Sequence, residues 1–123
     1  MNRVALLMVG FCVAMACAGT TEPAEPDFGA HYRVVLQPES PVLGSTTVSL
    51  TVSYGGCRNN HGFVLRHRIR IDTAEIWLQK ITPDEPCDML VTERRAFAIP
   101  EGVQTLAHVR LMAPDVDPYR LRP

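Results

Sequence analysis

The chain has 123 residues, 46% of them apolar and 20% charged, with 12 basic and 13 acidic side chains and a formal net charge of −1. That length allows one small domain. The weak negative balance is the opposite of the basic excess that a nucleic-acid binder shows, and the composition excludes collagen, a coiled coil and disorder throughout.

Met1-Asn2-Arg3 places one positive charge ahead of Val4 to Ala16, a run in which Gly10 is the single non-apolar member. A bilayer-spanning helix needs about 20 residues. A basic start, a short apolar run and small residues at its end therefore read as a secretory signal over 1–16. Ala14-Met15-Ala16 offers the small side chains that signal peptidase accepts, and Cys17 follows. This stretch resembles the lipobox of bacterial lipoproteins, with Ala14 and Met15 standing where that pattern has Leu and a small residue. The resemblance implies an acylated Cys17 and an exported, outer-membrane-anchored protein of the cell envelope. Residues 18–29, rich in Pro, Glu, Thr and Gly, have no apolar periodicity and too little apolar surface to offset ordering entropy. They read as a flexible tether over 17–30. Free secretion after ordinary cleavage is the competing reading.

From residue 31 onward Pro and Gly punctuate short runs, and no window shows a convincing helical period. Strand patterns fall near 31–37, 46–54, 62–71, 74–81, 88–98 and 104–112, with residues 115–123 as an irregular tail after a β-domain over 31–114. The expected fold is all-β: a small antiparallel sandwich or incomplete barrel of six to seven strands. In 46–54, Val48, Leu50, Val52 and Tyr54 share one face and Thr47, Ser49, Thr51 and Ser53 the other, the alternation of a sheet with one wet side. In 63–71, Phe63, Leu65, His67, Ile69 and Ile71 share the face expected to be buried, and Arg66, Arg68 and Arg70 the other. A turn at Asp72-Thr73 would set Arg70 opposite Glu75, Arg68 opposite Trp77, Ile69 opposite Ile76 and His67 opposite Leu78. Lys80 breaks the alternation and should end or bulge the strand. Glu93 and Arg95 interrupt 88–98 and indicate either a bulge near Thr92–Arg95 or an edge strand.

Cys12 lies in the signal core. With Cys17 taken by lipid, Cys57 and Cys87 remain, and in an exported chain they are expected to form a disulfide. Cys57-x3-His61 with Cys87-x-Met89 is a weaker, copper-like alternative, because the second end lacks the His or Cys that zinc and similar signatures supply. His61 sits in the turn sequence Asn59-Asn60-His61-Gly62 and is read as pairing with backbone. His67 is read as a core histidine, and Asp84-Glu85 as a solvated turn between prolines. No nucleophile elbow, zinc-protease helix, phosphate loop or dinucleotide fingerprint is present, so no catalytic residue, metal or cofactor is assigned. The chain as a whole is similar to small bacterial lipoproteins that join a signal and tether to a compact β-domain. The resulting expectation is a non-enzymatic, membrane-anchored binding or accessory module. Its candidate surface is Arg66, Arg68, Arg70 and Trp77, for an envelope protein or anionic polymer and not for nucleic acid. A freely secreted inhibitor or ligand-binding protein is the alternative.

Overall fold

The computed structural model describes residues 25–122; the signal segment and Cys17 lie outside the described residues. Eight strands form two four-stranded sheets that share one core. In the first sheet, β3 (Thr47–Gly56) is central. It pairs with β1 (Arg33–Val35) and β2 (Val42–Leu43) along one edge and with β6 (Met89–Ala98) along the other. The second sheet runs β4 (Phe63–Arg70), β5 (Thr73–Lys80), β7 (His108–Leu111), β8 (Tyr119–Arg122). The β5–β7 pair is parallel and the other pairs are antiparallel. A single helical turn, α1 (Glu101–Gln104), leads from β6 to β7 and puts Val103 into the core. The fold is thus a small all-β sandwich with one disulfide, Cys57–Cys87, whose Cα atoms are 4.9 Å apart.

The alternation of β3 explains why it is central. Val48, Leu50 and Val52 are fully buried, each contributing about 1.5–3 kcal/mol by leaving water. They meet Ala74, Ile76 and Leu78 of β5 and Val109 and Leu111 of β7 in one cluster. β6 runs in unbroken register along β3, from Thr47↔Ala98 to Gly56↔Met89, so there is no bulge at Thr92–Arg95. Among the described residues β6 pairs with β3 alone, and Glu93 and Arg95 point inward opposite Val52 and Leu50. Inward charges on an edge strand discourage pairing with another chain.

The β4–β5 hairpin departs from its expected register by two residues. Arg70 pairs with Thr73 around a two-residue turn, Ile71-Asp72, which puts Arg68 opposite Glu75, Arg66 opposite Trp77 and His67 opposite Ile76. A two-residue shift leaves every side chain on its expected face, so apolar patterning cannot distinguish the two registers. The tight turn sets the left-handed conformation on Ile71, φ 55°, rather than on a glycine or asparagine. Burial also fades along β4: Phe63 is buried, Leu65 half-buried, and His67 and Ile69 are exposed. His67 is therefore not a core residue; the far half of β4 extends beyond the cover of the first sheet. Lys80 does end β5, and its side chain is buried.

Packing extends past both expected domain boundaries. Within the segment assigned to the tether, Phe28 packs against the core, and the Lys80 amide donates to the Phe28 carbonyl at 2.9 Å. Gly29, φ 72°, makes this approach possible, since a Cβ there would fall 2.2 Å from the Lys80 carbonyl oxygen. Residues 115–123, expected to be irregular, contain β8, whose pairing with β7 satisfies backbone groups that a loose tail would leave to water.

Candidate functional site

The outer face of the second sheet gathers the basic side chains. The strand registers place Arg68, Glu75, Arg110 and Arg120 in one row across all four strands. Arg70, Thr73 and His108 form the next row, and Arg66 with Trp77 lies on the other side. The face thus shows five arginines against one strand carboxylate, in a chain whose net charge is −1. Glu75 is buried beneath its neighbours; its Oε1 accepts from Arg68 Nε at 3.1 Å and forms an ion pair with Arg70 Nε, also at 3.1 Å. The Arg68 guanidinium carbon stands 5.7 Å from the Trp77 ring centre. The expected Arg68–Trp77 contact is present, but it runs diagonally because Arg66 occupies the position directly opposite. Arg66 Nε donates to Gln79 Oε1 at 3.0 Å, and Trp77 Nε1 donates to the Asp27 carbonyl at 3.2 Å. All four predicted surface residues share this face, joined by Arg110 and Arg120.

A depression of about 250 Å³ opens at one end of the face, lined by Asp72, Thr73, His108, Arg110, Arg120 and Arg122. Arg122 is fixed by donating to the carbonyls of Gln104 and Leu106, at 3.1 and 2.6 Å. His108 Nε2 lies 3.7 Å from the exposed Asp72 carboxylate at the rim.

A second cluster is buried beside the disulfide. The His61 side chain is fully enclosed and stacks on Tyr54, ring centres 4.4 Å apart. Its Nε2 meets Glu85 Oε1, while its amide donates to the Tyr54 hydroxyl at 3.2 Å. The Tyr54 hydroxyl donates to Glu93 Oε1 at 2.8 Å. Arg95 donates to the His61 carbonyl and lies over the rings of Phe63 and Phe97 at 5.3 and 5.4 Å. The Cys57 amide donates to Glu85 Oε1 at 3.2 Å. Gly56 leaves room for this arrangement: a Cβ there would sit 2.8 Å from His61 Cε1 and 3.0 Å from Glu85 Oε1. The His61 ring therefore pairs with a carboxylate and an aromatic, not with backbone as its turn setting suggested. Asp84 and Glu85 are not simply solvated either, since Asp84 Oδ2 lies 2.7 Å from His31 Nδ1.

The electrostatics of the buried cluster follow from these contacts. Burial opposes ionisation of Glu85, but the His61 ring, the Cys57 amide and nearby Arg58 outweigh it and hold the carboxyl below its usual range. Burial pushes the Lys80 ammonium down, partly offset by Asp84 and Glu85, and Lys80 Nζ donates to the Thr82 carbonyl at 2.6 Å. Burial pushes the Tyr54 and Tyr32 hydroxyls up. With Cys57 and Cys87 joined to each other, neither thiolate of the copper-like alternative is available. Among the described residues no group of three His, Cys, Asp or Glu is placed to hold a metal. The cluster encloses its histidine without presenting it to a cavity, and its chemistry is that of a structural tie between the Cys57 and Cys87 loops.

Comparison with family models, with curated proteins and with solved structures finds no match to this chain.

Proposed function

We propose that the chain is a non-enzymatic binding module of the bacterial cell envelope, anchored by lipid on Cys17, that engages an anionic polymer or protein surface through the arginine face of its second sheet. The observation that carries this reading is the row Arg68–Glu75–Arg110–Arg120, flanked by Arg66, Arg70 and Trp77. Arginine presents a planar fork suited to carboxylate and phosphate, and Trp and Arg are enriched at binding hot spots. The face needs no enclosed pocket to work, because an extended polyanion makes many shallow contacts whose strength falls as salt screens them. Chain geometry fits anchoring on the same side. Asp27 contacts Trp77 and Gln79 on this face. Ten residues link Cys17 to that contact, a reach of at most about 35 Å.

The test uses the full chain with long-chain polyphosphate and polyglutamate as probes. Arg66→Glu with Arg110→Gln changes the face without touching either ion-pair partner of Glu75 and sets no second carboxylate opposite it. Binding is expected to fall at least tenfold, with a weaker salt dependence and a nearly unchanged melting temperature. Binding that persists in the double variant, or that ignores salt, refutes the surface. Cys17→Ser is expected to move the protein from membranes to the soluble fraction; a wild type that is already soluble refutes the anchor.

A further inference from the structure

Resting on the arginine-face reading and narrowing it, we infer that the depression at the β7–β8 end of the face is a binding site for a phosphate group, held by Arg110, Arg120 and His108. Three observations converge there. First, Arg110 and Arg120 are direct cross-strand partners, and like charges in that position destabilise a sheet unless something neutralises them. Second, the neutralising groups of the face are engaged elsewhere. Among the described residues its ion pairs are Glu75 with Arg68 and Arg70, and Asp72 with His108; none reaches Arg110 or Arg120. Glu75 stands opposite Arg110 in the register, but its Oε1 is engaged by Arg68 and Arg70. Third, the pair does not stand on a flat surface but lines a concavity of about 250 Å³ with Thr73 and Arg122. That volume suits a single tetrahedral oxyanion with its first substituents and is below the usual range for drug-sized ligands, about 300–1,000 Å³.

The donor set selects phosphate over a metal or a cation. Two guanidinium forks offer bidentate hydrogen bonds to oxyanion oxygens; the Thr73 hydroxyl donates to Asp72 Oδ1 at 3.2 Å and holds that carboxylate at the rim, and the His108 imidazole borders the site. Asp72 lies at the rim, 3.7 Å from His108 Nε2. The same chemistry serves a free phosphate and the phosphodiester of a lipid headgroup.

The experiment titrates the purified full-length protein with inorganic phosphate at constant ionic strength and follows amide and arginine side-chain NMR signals. Shifts are expected at Thr73, His108, Arg110 and Arg120, saturating at millimolar phosphate, with chloride unable to reproduce them. Arg110→Gln with Arg120→Gln is expected to weaken phosphate at least tenfold, whereas Arg33→Gln, exposed on β1 of the other sheet, changes it less than twofold. Glu75→Gln, which removes the sole strand carboxylate of the face, is expected to tighten phosphate several-fold and keeps the inference testable should the double variant fold poorly. Phosphatidylglycerol vesicles set against phosphatidylcholine vesicles then separate the sources. Capture by the former, reversed by inorganic phosphate, identifies a headgroup; no capture, with phosphate still bound, identifies a soluble phosphate compound. Absent or scattered shifts, or shifts indifferent to Arg110 and Arg120, overturn the site. If polyphosphate still binds through Arg66 in that case, the site alone fails; if no polyanion binds, the arginine-face reading fails with it.

Discussion

Replacing Cys57 and Cys87 together by alanine tests how much of this small core depends on its disulfide. The bridge closes a loop spanning 30 residues that contains the entire β4–β5 hairpin. On the chain-entropy model, opening a loop of that length costs about 3.7 kcal/mol. Native domains have a total stability of only about 5–15 kcal/mol, so the variant should fall well down its stability curve. A domain of this size loses about 4–8 °C of melting temperature per kcal/mol, giving an expected drop of about 15–30 °C. Equilibrium urea unfolding followed by far-UV circular dichroism gives the free energy directly. The slope should rise, because the uncrosslinked unfolded chain exposes more surface. The geometry adds a sharper requirement. Glu85 lies two residues before Cys87, and its carboxylate accepts the Cys57 amide and meets the His61 ring. Opening the bridge should release these contacts too, so Glu85→Gln and the double alanine variant should couple by at least about 0.5 kcal/mol in a double-mutant cycle. A loss below about 1 kcal/mol, or strict additivity with Glu85→Gln, would refute the view that the bridge and the His61–Glu85 tie form one unit.

Ile71 is almost wholly exposed at a turn that demands a positive φ. Ile71→Gly should therefore raise stability by about 1 kcal/mol, read as a higher urea midpoint, and a fall instead would mean that the side chain packs. Because the folded-state pKa of Glu85 is depressed, its contribution is present above the unfolded carboxyl value of 4.5 and is lost as pH falls through the lower folded value. Urea midpoints measured down to about pH 2 should show that acid limb flattened in Glu85→Gln, with the remainder due to Asp84, which His31 holds below its usual range. Burial lowers the Lys80 pKa, so the unfolded chain holds that proton more tightly and stability should rise as pH climbs toward 10.5, a rise that Lys80→Met should abolish. Above about pH 10 the raised tyrosine hydroxyls reverse the sign in both proteins, and a wild type that weakens steadily from about pH 8 would contradict the Lys80 assignment.

The legible parts of this fold are those that local pattern decides. Val48, Leu50, Val52 and Tyr54 alternate with hydroxyl residues, and period two admits no other burial for them. Cysteine counting found the bridge because the expectation of a signal over 1–16 and a lipid on Cys17 leaves Cys57 and Cys87 to pair. Pattern fails where two arrangements satisfy it equally. Both hairpin registers put apolar residues on the same face, and the observed one depends on a tight turn built on Ile71, a residue no turn preference would select. Glu93 and Arg95 left β6 with two readings, a bulge or an edge strand, and only the unbroken register along β3 decides for the edge.

The site divides along the same line. Arg66, Arg68 and Arg70 share parity within one strand, so their common face was visible in the sequence. Arg110 and Arg120 join them only through the parallel β5–β7 pairing and the added β8, long-range contacts with no local signature. The His61–Glu85 tie is the instructive intermediate case. Once Cys57 is bonded to Cys87, a histidine four residues after the first and a carboxylate two residues before the second lie on loops that the bridge holds together. Their meeting followed from a disulfide already inferred, and treating Asn59–Gly62 and Asp84–Glu85 as separate turns concealed it. Covalent closure turns two locally bland loops into one site, so the residues flanking an inferred bridge are best weighed as a pair before either is dismissed as a turn.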